Sequence, residues 1–548
     1  MKKNIFFLLL LPAAFLGAQT KSLSNGQANA HPKLIVGIVV DQMRYDYLYR
    51  FMDKFGNNGF RRLMDEGFNC RNTNYNYTPT YTGPGHASIY TGTTPSAHGI
   101  IANDWYDRTK SHSLYCTEDN TVTTVGASGK AGQMSPRNML ANTVTDEVHI
   151  ASMLKSKVIG IALKDRGAIL PAGHTANAAY WYDGSGVWIS STFYMNTLPD
   201  WVTKFNEKKL AEKYLSQDWN TLLPIGQYSE SSPDNNAYET PAKGETAPVF
   251  PHHLSASNGN DMIRGTPFGN SLTKDFAIET IRQEQMGKGF YTDFLTVSFS
   301  STDYVGHAYG PHSVELEDTY LRLDKDLAEL LKFLDTELGK DNVLLFLTAD
   351  HAVVDVPRLL TDLKIPAGCY DANFALDSLN KYLTKTYRDS NLLQDYSNQM
   401  IYLDKKELSK QKLDENKMEG DIAEFMLRFK GVASTVTANA FKNGNFAAED
   451  MRGLVQNGYQ PKRSGDVMII LQPGWIDSET QTGTTHGTGY SYDTHVPLLW
   501  YGWNIKPGST TESIRPIDIA PTISMMLNIP FPDACSGRVI RSLTEPVR

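Results

Sequence analysis

The stretch Leu34-Ile35-Val36-Gly37-Ile38-Val39-Val40, followed at once by Asp41, decides the fold. An exposed strand alternates apolar with polar residues, whereas a strand covered on both faces does not. No residue from Leu34 to Val40 has a polar side chain, and most are β-branched, which suits extended backbone. Four more runs share this character: Val158 to Leu163, Phe294 to Phe299, Val343 to Leu347 and Val467 to Leu471. Between two of them, Leu316, Tyr320, Leu323, Leu327, Leu330 and Leu334 step by four and three residues, one face of an amphipathic helix. Doubly covered strands alternating with such helices predict an α/β fold, a mostly parallel central sheet flanked by helices.

Working outward, Lys2 and Lys3 precede an apolar stretch from Ile5 to Leu16 and the small residues Gly17 and Ala18. This reads as a secretory signal over residues 1–18; its apolar part falls short of the roughly 20 residues a spanning helix needs. The expectation is an exported protein, periplasmic or secreted, without stable membrane insertion after cleavage. Residues 19–32 form a polar linker. Two stretches break the alternation: 171–290, rich in aromatics, Gly, Pro and Asn, and 370–465, charged and helix-favouring. Both are expected as insertions, the second cap-like, in a core spanning 33–369 and 466–548.

The 548 residues are 41% hydrophobic and 20% charged, with a formal charge of −8. That composition excludes a disordered or fibrous chain, and the absence of a basic run argues against a nucleic-acid partner. An oxidising compartment permits disulfides among the four cysteines. The expected pairs are Cys70 with Cys116 and Cys369 with Cys535.

In parallel α/β sheets, functional groups gather past the carboxyl ends of the strands. Four of the five runs place chemistry there: Asp41; Lys164 and Arg166; Asp303 and His307; Asp350 and His351. One strand-end aspartate is usually a helix cap, but three, two of them with a nearby histidine, form a set. His486, in the Gly/Thr-rich segment Thr485–Thr488, adds another imidazole. These mixed nitrogen and oxygen donors suffice for two divalent ions and suit zinc. Three carboxylates leave such a site net positive, which favours an anionic substrate. A nucleophile comes from Thr80-Tyr81-Thr82-Gly83-Pro84-Gly85-His86, where Pro84 fits the first turn of a helix. Thr82 at its start is a weak nucleophile until a metal held by Asp41, Asp350 and His351 acidifies it.

These residues carry a resemblance. Val39-Val40-Asp41, Thr80 to His86, Pro95 to Asn103, Asp303-Tyr304-Val305-Gly306-His307, Thr348-Ala349-Asp350-His351, Thr485-His486-Gly487 and Asp518 to Thr522 resemble, in order and spacing, the alkaline phosphatase superfamily of two-metal hydrolases. The chain is most similar to the PafA-type phosphate-irrepressible alkaline phosphatases. The resemblance implies hydrolysis of small-molecule phosphate monoesters by two Zn²⁺ per chain, with Thr82 as nucleophile through a phosphothreonine intermediate. It implies one zinc on Asp41, Asp350, His351 and Thr82, and the other on Asp303, His307 and His486. Asn103, Lys164 and Arg166 would contact the phosphate. Thr80 is the competing nucleophile, although position relative to Pro84 and His86 favours Thr82. Nucleotide pyrophosphatases/phosphodiesterases share the threonine and both metal sets, and Lys164 with Arg166 is the discriminating feature. Oligomeric state is left open, a monomer being one option.

Overall fold

The computed structural model describes residues 31–544 apart from Glu449 and Glu479. The expected signal segment and most of the linker lie outside the described residues. Ten strands form the main sheet, and its centre is five parallel strands in the order Val343–Thr348, Leu34–Val40, Asp293–Phe299, Val158–Ala162 and Ala178–Tyr182. Every residue of the first four is buried. Side chains alternate between faces. Leu34, Val36, Ile38 and Val40 pack with Phe276 and Leu323 on one side, while Ile35 and Val39 pack with Ile89, Val148 and Ile523 on the other. Helices Phe268–Gln283 and Val314–Glu337 cover the first face, and Thr82–Thr91, Val144–Ala151 and Ile519–Leu527 cover the second. The expected stripe from Leu316 to Leu334 is buried, and the Ser313 hydroxyl caps its helix by accepting from Leu316 N at 3.1 Å.

Register positions the site. Thr348 pairs with Val39, Val39 with Ser298, and Ser298 with Ala162. The four strands therefore end in step, and the residues that follow them emerge in one row.

Three expectations need correction. Val467–Leu471 is not in the central sheet but in a four-stranded antiparallel one, in the order Leu393–Ser397, Met400–Leu403, Val467–Leu471, Val432–Thr437. Its continuous apolarity has the same cause as in a parallel strand, cover on both faces: Met468 and Ile470 pack with Trp105 and Tyr402, while Val467, Ile469 and Leu471 pack with Leu379 and Ile422. The small sheet therefore runs past the expected boundary at 465. The stretch 171–290 is not wholly an insertion, because Ala178–Tyr182 and Trp188–Ser191 extend the central sheet and their aromatics pack on Phe276, Trp188 stacking at 4.2 Å. The four cysteines are unpaired: Cys70 and Cys116 sit in different apolar clusters, Cys369 Sγ donates to Thr480 O, and Cys535 Sγ lies by Gly92.

Candidate active site

Asp41 follows Leu34–Val40, Lys164 follows Val158–Ala162, and Asp303 lies in helix Ser301–Tyr309 just after Asp293–Phe299. Asp350 and His351 follow Val343–Thr348, and His486 arrives on the loop before helix Ser491–Thr494. All are buried, and His307 is half-buried. Two groups have donor atoms within 4.8 Å of one another: Asp41, Asp350, His351, and Asp303, His351, His486. His307 joins the second, its Nε2 being 3.1 Å from Asp303 Oδ1. His351 faces both groups, stacking on His486 with ring centres 3.5 Å apart.

The backbone sets the imidazole tautomers. Nδ1 of His307 donates to Thr484 O at 2.7 Å, that of His351 to Ala352 O at 3.0 Å, and that of His486 to Thr80 O at 2.7 Å. His351 and His486 thus each turn an Nε2 lone pair inward, the arrangement that orients metal-ligating histidines, while His307 Nε2 faces the Asp303 carboxylate. His351 Nε2, Asp41 Oδ1 and Asp350 Oδ2 are buried without a hydrogen-bond partner. Lone pairs facing lone pairs away from water are costly unless a cation lies between them. This donor set fits divalent metal ions.

Charge within the site is uneven. Burial, with Asp350 alongside, holds the Asp41 carboxyl well above the usual range despite Lys164. Burial acts the same way on Asp303, but His307 and Lys164 outweigh it and hold that carboxyl well below. Burial, then the neighbouring His351 and His307, keeps His486 neutral. Lys164 Nζ bridges Asp41 Oδ2 at 2.7 Å and Asp303 Oδ2 at 2.5 Å. Arg166 is turned toward Tyr115, whose hydroxyl accepts from its Nη1 at 2.9 Å.

Thr82 is the first residue of helix Thr82–Thr91 and is buried. Gly83 N donates to Asn103 Oδ1 at 2.8 Å, which fixes the Asn103 amide at that helix start. Thr80 has other work: its hydroxyl donates to Thr488 O at 2.9 Å and its carbonyl receives His486.

Sequence reasoning missed several members. Gln42, left-handed at φ 65°, donates from its backbone N to Asp350 Oδ1 at 3.2 Å and from Nε2 to Asp303 Oδ1 at 2.7 Å. It touches one carboxylate of each group. Gly306 makes room for it, since a Cβ there would lie 1.9 Å from Gln42 Oε1. His86 lies 3.3 Å from Asp350 Oδ2 and 2.9 Å from Thr82 O, tying the helix start to the ligands. Gly85 lets that helix approach, because its Cβ would fall 2.2 Å from Asp350 O. A left-handed residue directly after a strand-end aspartate leaves no mark in composition.

Residues 35–494 match the model of the type I phosphodiesterase / nucleotide pyrophosphatase family. The chain belongs to that family. Alkaline phosphatase PhoV of Synechococcus elongatus is 47% identical over 95% of this chain and 94% of its own length. A crystal structure of wild-type alkaline phosphatase PafA superposes with a TM-score of 0.90 at 42% identity, over 93% of this chain and 98% of that one; a PafA variant with one threonine, one asparagine, one lysine and one arginine replaced matches equally well, with a TM-score of 0.90. A protein of Myroides odoratus named calcium-transporting ATPase is 45% identical over 94% of this chain and 95% of its own length. No helix among the described residues is long and apolar enough to cross a membrane. Within the family this chain is an alkaline phosphatase, an enzyme that hydrolyses phosphate monoesters.

Proposed function

We propose that the chain is an exported phosphomonoesterase that holds two zinc ions and works through a phosphothreonine at Thr82. The observation that carries this reading is the convergence of Asp41 Oδ1, Asp350 Oδ2 and His351 Nε2, all buried and without a hydrogen-bond partner, beside the helix that begins at Thr82. One zinc would be held by Asp41, Asp350, His351 and Thr82, the other by Asp303, His307 and His486. When bound, the pair supplies positive charge for phosphoryl oxygens and acidifies the Thr82 hydroxyl.

The chain's own groups do the rest. Thr82 Oγ1 bonds to phosphorus as the ester P–O bond breaks and the alcohol leaves; water then hydrolyses the phosphothreonine and releases phosphate. Splitting the displacement in two in this way retains stereochemistry at phosphorus. Thr80 is poorly placed for this role, because its hydroxyl is committed to the Thr488 carbonyl. Asn103, held by Gly83 N through its oxygen, has its amide NH₂ left for a phosphoryl oxygen. Lys164 and Arg166 add charge that a monoester dianion can use and a diester cannot match. The residues replaced in the PafA variant support this set, being spaced 21, 62 and 2 apart there, against 21, 61 and 2 for Thr82, Asn103, Lys164 and Arg166 here.

The family's name favours a second reading, phosphodiester hydrolysis. Comparing kcat/KM on an aryl phosphate monoester and its methyl diester with zinc-loaded protein separates them: the monoester is expected to win, and a preference for the diester would reverse the assignment. Export rests on the segment from Lys2 to Ala18 and is tested by the N-terminal sequence of protein recovered from the periplasm or medium.

A further inference from the structure

The end of the sheet away from the metal ligands carries a feature that phosphate hydrolysis does not use. Lys33, Lys157 and Thr292 immediately precede the strands Leu34–Val40, Val158–Ala162 and Asp293–Phe299. At roughly 3.3 Å per residue these strands separate that end from Asp41 by about 20 Å. A groove here lies between His31, Lys33, Ala151, Ser152 and Phe290. Around it large apolar side chains stand in solvent: Phe290 is 87% exposed, Met153 68%, Leu154 59% and Ile150 50%.

Single exposed apolar residues are ordinary. Met153 and Leu154, however, are consecutive non-glycine residues with φ of 57° and 62°, left-handed backbone that bulky side chains rarely adopt. Their amides donate to Ile150 O and His149 O, each at 2.8 Å, so the fold holds this turn in place with both side chains outward. Lysines flank them. Lys33 Nζ reaches Gly289 O at 3.4 Å, the exposed Lys155 lies 5.7 Å from the Tyr291 ring centre, and Lys288 pairs with Glu337 at 3.3 Å. Neither Lys33 nor Lys155 is in an ion pair among the described residues.

We propose that this face docks on an anionic lipid bilayer, with Phe290, Met153 and Leu154 entering the boundary between headgroups and acyl chains and Lys33, Lys155 and Lys288 at the level of the lipid phosphates. Charge complementarity selects this occupant, because a chain of net charge −8 presents Lys33 and Lys155, outside any ion pair among the described residues, beside Phe290 and Met153, the two most exposed of its large apolar side chains there. Projecting side chains enter a fluid layer without a matching concavity, which a protein partner would have to supply. The residues of the candidate active site lie at the other end of the sheet, away from this face. Docking does not depend on the zinc or phosphothreonine reading.

The test is flotation of the mature, zinc-loaded protein with vesicles of phosphatidylglycerol and phosphatidylethanolamine, beside vesicles of phosphatidylcholine alone. Binding is expected to the anionic vesicles only and to weaken with salt. Phe290→Ser with Leu154→Ser, and separately Lys155→Glu with Lys288→Glu, should each lower the bound fraction on the order of tenfold. Phosphatase activity in solution should stay unchanged in all of them, which verifies the fold. Should a double variant fail that check, Phe290→Ser alone, at the most exposed side chain, takes its place. Absence of binding to anionic vesicles, or binding that survives both pairs of substitutions, overturns the proposal. So does light scattering showing a dimer that Phe290→Ser dissociates, since the face would then belong to a second copy.

Discussion

Replacing Gln42 by methionine asks whether one buried amide ties the two ligand groups together. Gln42 Nε2 donates to Asp303 at 2.7 Å, and its backbone N to Asp350 at 3.2 Å. Methionine has similar length and no donor, so Gln42→Met removes the first bond and keeps the second. A hydrogen bond to a charged group is worth about 1.5–3 kcal/mol, and losing an outer partner of a ligand costs metal affinity about 10–100-fold. The two ranges agree, since about 1.4 kcal/mol is a factor of ten. Zinc affinity at the Asp303 group should therefore fall about 10–100-fold, and at the Asp41 group by less, as read by competition with a chromogenic chelator. Gly306→Ala should weaken the same site by another route, since its Cβ would press on Gln42 Oε1 from 1.9 Å and displace the amide. Unchanged zinc binding in Gln42→Met, with monoester turnover intact, would show that the amide only fills space and would refute the reasoning.

Lys164→Ala with Arg166→Ala should cost monoester kcat/KM on the order of 10²-fold or more and diester hydrolysis much less; equal losses would point to misfolding or metal loss. Thr82→Ala should fold and bind zinc yet lose most turnover, whereas Thr80→Ala should lose about 1 kcal/mol of stability with a mild effect on rate; reversed behaviour moves the nucleophile two residues. Chelation should abolish activity and lower the melting temperature, because Asp41, Asp350 and His351 then face one another with only the Lys164 ammonium beside Asp41, and elemental analysis should return about two zinc per chain. Burial pushes the Asp326 carboxyl up to about 7 despite Lys274 nearby. A raised carboxyl disfavours the fold above that pH, so its cost fades as pH falls through 7 and is gone below the ordinary carboxyl range. Asp326→Asn should accordingly flatten the pH dependence of melting between about 4 and 7 relative to the wild type, and identical slopes would count against it.

The parts legible in the sequence are those governed by composition along one short segment. Continuous apolar runs marked the four core strands because cover on both faces leaves no room for polar residues, and a strand-end aspartate or histidine is visible beside its run. Register then did what no single run reveals. Because Val39, Ser298, Thr348 and Ala162 lie in one row, the residues following them meet, and a list of strand ends becomes a site. The same inference failed at Val467–Leu471 for a reason internal to it: burial on both faces erases the polar alternation whether neighbours run parallel or antiparallel. Ala178–Tyr182 carries an aromatic run like that of the loop-rich segment after it, and its pairing with Val158–Ala162, with Tyr180 packed on Phe276, is what makes it sheet.

The remaining part of the site depends on shape between segments far apart in the chain. Gln42 reads as an ordinary polar residue, yet a left-handed turn puts its two donors on Asp350 and Asp303, 308 and 261 residues away. That geometry needs Gly306, and the approach of Thr82 to Asp350 needs Gly85, in each case because one methyl group would collide. Thr80 and Thr82 likewise look equivalent as residues. The Thr488 carbonyl, about 400 residues on, separates them by taking the hydroxyl of Thr80. Residue type therefore announces what can hold a metal or attack phosphorus, while small residues and backbone carbonyls elsewhere in the chain decide which candidate is free to do so.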